Sequence, residues 1–158
     1  MASTPGDERE FELSAAARPE EIGSLRHALC EWLAGAGAGE DEVEDVSLAV
    51  DEALTNAVEH AYRKGEEGAL AVRARREGDG MVSVAVRDFG HGDWRTPPAT
   101  PGRGCGIGLM QRLMDSVEVN WTPKGTEVVL RRRLGRWRPA PGRGFRGDPA
   151  RRARAPGR

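Results

Sequence analysis

Aromatic residues are scarce in this chain: four Trp, three Phe and one Tyr among 158 residues. Its interior must therefore be aliphatic, drawn from the small and branched residues that make up most of its 38% hydrophobic content. Cysteine is nearly absent too. Cys30 and Cys105 stand far apart, with no Cys-x-x-Cys and no paired histidines nearby, so the spacing indicates neither a disulfide framework nor a zinc site. No run approaches the roughly 20 apolar residues that span a bilayer. Met1 to Glu10 is acidic where a signal peptide would be basic and then apolar. A cytoplasmic location with reduced thiols and no membrane partner is the expectation.

A chain of 158 residues holds one compact domain with a real core but not two ordinary ones. The formal net charge of -1 conceals an asymmetry. Eleven of the 24 basic residues and one of the 25 acids fall between Arg131 and Arg158, leaving 13 bases against 24 acids before them. After Leu134 the chain turns to Gly, Pro, Arg and Ala and cannot bury enough apolar area to offset the entropy of ordering it. Residues 135–158 are expected to be a disordered basic tail. Such a tail either rests near its own acidic body or engages nucleic acid or an acidic partner, the one route by which nucleic acid enters the expectation.

In the body, Glu10 to Ser14 alternates like a strand, and Pro19-Glu20-Glu21 opens a helix with Ile22, Leu25, Leu29 and Leu33 at helical spacing. That helix ends in the run Gly35-Ala36-Gly37-Ala38-Gly39. A second helix is predicted from Asp41 to Tyr62, its apolar stripe formed by Val43, Val46, Val50, Ala53, Leu54, Ala57 and Ala61. Hairpins follow over 70–76 with 82–87, and over 117–121 with 126–132. Between them lie a Pro and Gly loop, 89–104, and a short helix, 107–115. The sum is an α/β two-layer sandwich, its sheet mixed but mostly antiparallel and covered by helices on one face.

Three clusters carry chemistry. On the second helix Glu52, Asn56 and His60 stand four residues apart, in a row beside the apolar stripe. An amide oxygen one turn from a carboxylate suits a magnesium phosphate site, and the carboxylate can take a proton from an attacking hydroxyl. The same residues would equally serve as the edge of an acidic helix, and His60 as a cap. Asp88-Phe89-Gly90-His91-Gly92 follows a strand of alternating valines. Its acid can accept from an exocyclic amine, which favours adenine, and its glycines also fit a plain turn. Gly102 to Gly108 alternates glycine before a helix, offering backbone N–H groups and a helix N-terminus to phosphate or forming a loop without ligand. No strand runs into these glycines as a dinucleotide fold needs, and no Gly-Lys-Ser/Thr follows.

Glu-x-x-x-Asn on a helix, Asp-x-Gly-x-Gly after a strand, Gly-x-Gly-x-Gly before a helix and Gly125-Thr126 opening a strand together resemble the GHKL ATPase and kinase superfamily. The string Asp51 to Tyr62 is most similar to the bacterial anti-sigma factor serine/threonine kinases. The resemblance covers about residues 9–133 as an ATP-binding domain. It implies Glu52 as general base, Asn56 as magnesium ligand, Asp88 on the adenine amine and Thr126 in the base pocket. It extends the ATP site to His60, Gly90, Gly92, Gly104, Cys105, Gly106, Ile107, Gly108 and Leu109, the glycines from Gly104 forming a lid. It further implies ATP and Mg2+, an anti-anti-sigma partner of the STAS type, a sigma factor and a homodimer. A non-catalytic, ATP-gated protein-binding switch is the alternative.

Overall fold

The computed structural model describes residues 9–91 and 106–135. Strand β1, Glu10–Ala16, leads into helices α1, Pro19–Gly35, and α2, Glu40–His60. Strands β2, Ala69–Arg76, and β3, Met81–Asp88, precede helix α3, Gly106–Leu113, and strands β4, Ser116–Thr122, and β5, Gly125–Arg133. The tail, apart from Gly135, lies outside the described residues.

Local chemistry explains where these elements start and stop. Pro19 fixes the first turn of α1, and Glu20 and Glu21 face its positive end. At the start of α2 the Glu42 carboxylate accepts the Gly39 N–H at 2.8 Å, and Glu40, Asp41 and Glu42 favour the same dipole. The helix ends at His60, two residues short of the predicted end. Ala61 still donates to Ala57 O at 3.0 Å, whereas the Tyr62 hydroxyl bonds to β2 backbone, which draws that residue off the helical path.

The sheet runs in the order β1-β2-β3-β5-β4. Every neighbouring pair among the described residues is antiparallel, where a mixed sheet was expected. The crossover through α3 returns β4 parallel to β3, but β5 turns back at Pro123-Lys124 into the gap and pairs antiparallel with both. Alternation then sorts the faces. Leu70 and Val72 of β2, Val82, Val84 and Val86 of β3, and Val128 and Leu130 of β5 are buried against Leu25, Leu29 and Leu33 of α1 and Val46, Val50 and Leu54 of α2. No aromatic side chain belongs to this buried core among the described residues. Trp32 packs at its margin on Phe11, ring centres 6.1 Å apart. The opposite face carries exposed pairs such as Arg73 with Glu12, 3.0 Å, and Arg75 with Glu10, 3.7 Å. No helix among the described residues is long and apolar enough to cross a membrane.

Candidate functional site

Antiparallel pairing brings the start of β2, the end of β3 and the start of β5 to one end of the sheet, and the end of α2 meets them there. Alternation turns Asp88, the last residue of β3, to the same side as Val82, Val84 and Val86, and it is only 2% exposed. A carboxylate that deep requires hydrogen-bond donors. Its Oδ1 accepts the Thr126 N–H at 3.1 Å and the Gly90 N–H at 3.2 Å. Thr126, the second residue of β5, is buried beside it.

Two glycines permit this assembly. A Cβ on Gly90 would stand 2.0 Å from Ala61 O, so the chain after Asp88 lies directly against the end of α2. Gly125 has φ of +137°, and a Cβ there would stand 2.0 Å from Asp88 O. Gly90 thus has a packing duty against the end of α2.

Tyr62 completes the corner and was missed. Its hydroxyl donates to Ala69 O at 2.6 Å and accepts from Ala69 N at 3.2 Å and from Phe89 N at 2.9 Å. One side chain thereby ties the end of α2 to the start of β2 and to the residue following Asp88.

One turn apart on α2, Glu52 and Asn56 are half-buried, and the first residue of α3 lies against both. A Cβ on Gly106 would stand 3.2 Å from Glu52 Oε2, 3.2 Å from Asn56 Nδ2 and 3.7 Å from Asn56 Oδ1. The initial N–H groups of a helix lack intrahelical acceptors, so α3 sets a phosphate-suited helix end beside a carboxylate and an amide. Asp51, the neighbouring acid, is committed elsewhere: its Oδ2 lies 2.5 Å from Arg26 Nη1 on α1. His60 Nε2 lies 3.6 Å from Glu59 Oε2, a contact within its own helix end. Ile107 and Gly108 are exposed, and Leu109 is half-buried. Gly92, Gly104 and Cys105 lie outside the described residues.

Among the described residues no group of three or more His, Cys, Asp or Glu could cage a metal. The donor set fits magnesium held through one amide oxygen, with phosphate and water supplying the remaining ligands. The glycine contacts at Gly106 fit the same ligand, since they keep α3 close to that amide.

A family model described as histidine kinase-like ATPase domain matches residues 15–132. The chain is 34% identical over 143 residues to the serine-protein kinase RsbW of Bacillus pumilus, a match covering 81% of this chain and 88% of that protein. It is 30% identical over 141 residues to the anti-sigma F factor of Geobacillus kaustophilus, covering 80% and 94%. Among solved structures, the RsbU and RsbW domains of a Mycobacterium tuberculosis protein superpose with a TM-score of 0.66 at 29% identity, over 84% of this chain and 33% of that one. The histidine kinase domain of the blue-light activated kinase from Erythrobacter litoralis shares the fold, with a TM-score of 0.52 at 23% identity over 73% of this chain and 60% of that one. With a matched model over most of its length and relatives of this identity, the chain belongs to the histidine kinase-like ATPase family of the GHKL superfamily, beside the bacterial anti-sigma serine-protein kinases.

Proposed function

We propose that this protein is an anti-sigma factor serine/threonine kinase that uses Mg-ATP to phosphorylate a STAS-type anti-anti-sigma partner and, in its other state, sequesters a sigma factor. The observation that carries the reading is the approach of Gly106 to both Glu52 and Asn56. A carboxylate able to take a proton, an amide oxygen able to hold a metal and a helix end able to hold phosphate occupy one spot. The relatives named serine-protein kinase and anti-sigma F factor support the same assignment.

In this reading Asp88 accepts the adenine amine, supported from below by Thr126, and the start of α3 receives the phosphates. Glu52 accepts the proton of the partner's hydroxyl as its oxygen bonds to the γ-phosphorus and the bond to the ADP oxygen breaks. Asn56 holds magnesium, which when bound neutralises charge on the phosphate oxygens. Homodimerisation belongs to the same proposal.

Incubation with labelled Mg-ATP and candidate STAS proteins tests it. Wild type is expected to move label to a partner serine or threonine. Glu52→Ala should keep ATP binding and lose transfer by about 10²- to 10⁴-fold, the usual worth of a general base. Asn56→Ala should lose magnesium-dependent ATP affinity. If ATP binds but label reaches no partner hydroxyl, an ATP-gated, non-catalytic binding switch replaces the kinase: it needs Asn56, Asp88 and the glycines but not Glu52.

A further inference from the structure

Two large aromatic side chains, Phe89 and Trp121, stand exposed at the site's end of the sheet, at 47% and 43%. The alternation of the strands separates them. Arg87 is an outward-facing residue of β3, and its guanidinium carbon lies 5.1 Å from the centre of the Phe89 ring, so Phe89 is engaged on the face away from the helices. Trp121 lies opposite Thr126 across β4 and β5, and Val119 lies opposite Val128. Thr126 and Val128 are both buried on the helix-covered face.

Directly opposed residues share a face, with Cβ atoms about 5 Å apart. On its other side Thr126 adjoins Asp88, to whose Oδ1 its N–H donates at 3.1 Å. Leu70 lies opposite Asp88. One cross-strand row therefore reads Leu70, Asp88, Thr126, Trp121. It begins buried, passes through the carboxylate assigned to the base amine, and ends in Trp121, which is 43% exposed.

We infer that Trp121 is an aromatic wall of the base site, its indole stacking on the nucleobase whose exocyclic amine Asp88 accepts. The inference rests on the ATP reading above and adds a residue to it. Stacking is tolerant of base identity because every base has a π-face, so Trp121 supplies affinity while Asp88 supplies the choice of adenine. The base is equally stacked before and during phosphoryl transfer. Removing the indole consequently raises KM for ATP and leaves kcat unchanged.

Calorimetric titration of the full chain in magnesium, with ATP, ADP and inorganic tripolyphosphate, tests this. Trp121→Ala is expected to weaken ATP and ADP alike, by about tenfold, and to leave tripolyphosphate affinity unchanged. Trp121→Phe keeps an aromatic face and should stay within about threefold of wild type. Trp121→Leu keeps apolar bulk for the fold without the π-face, and should follow the alanine variant. Equal ATP affinity in wild type and Trp121→Leu overturns the inference while leaving the ATP site standing. Parallel loss of ATP and tripolyphosphate also overturns it, marking a structural role. A wild type that binds no ATP overturns both the inference and the reading beneath it.

Discussion

At Tyr62 a single hydroxyl serves three backbone groups, two of Ala69 on β2 and one of Phe89 just past the end of β3. Tyr62→Phe is expected to lower stability by about 1 kcal/mol, the net worth of a typical hydrogen bond, and to weaken ATP because the segment after Asp88 loses its anchor. Denaturant unfolding and nucleotide titration read the two effects separately, and unchanged affinity would leave Tyr62 a purely structural residue. Gly108 presents the opposite case. Nothing lies within 4 Å of where its Cβ would be, so packing does not demand glycine there. Gly108→Ala should leave the unfolding midpoint the same or slightly higher and weaken ATP binding; if affinity holds, Gly108 leaves the lid. Glu52 and Asn56 were legible in the sequence because helical geometry alone places them on one row. Tyr62 was not, since its partners lie 7 and 27 positions onward. Trp121 required the register of β4 against β5 before its face could be known.

Among the elements, α2 divides its surface between two tasks. Leu54 is fully buried in the core, whereas Asn56, two residues on, is half-buried beside Gly106. Leu54→Ala is therefore expected to cost about 2–5 kcal/mol of stability through the cavity it leaves, with ATP affinity kept in the fraction that folds. Asn56→Ala should change stability by less than about 0.5 kcal/mol while removing magnesium-dependent binding. Thermal unfolding with and without Mg-ATP separates them; a large loss of stability in Asn56→Ala would reassign that residue to the fold. Element type and rough extent were legible throughout, because the strands alternate and the helices repeat at their own periods. Two details were not. The early end of α2 follows from the tertiary bonds of Tyr62, and the all-antiparallel sheet follows from the insertion of β5 between β3 and β4, which short-range pattern does not encode.

For the whole molecule, an acidic body and a basic C-terminal segment share one chain. The body supplies the core and site described above, and among the described residues no core residue lies beyond Leu134. Removing residues 136–158 is expected to leave thermal unfolding and ATP binding unchanged. Any affinity for DNA or RNA should disappear with the segment and, in the full chain, should fall steeply with salt as counterion release requires. Binding retained after truncation would move that affinity to the body. The charge division was legible from composition alone, but a partner for either half is not written in charge.

The amide protons of Phe89, Gly90 and Thr126 end on side-chain oxygens belonging to Tyr62 and Asp88. Such protons become open to solvent deuterium when a side chain swings aside, with no need to unfold the sheet around them. Their uptake is thus a clock for the nucleotide corner. It should run slow with ATP bound, fast at Phe89 in Tyr62→Phe, and independently of the valines at the centre of β3.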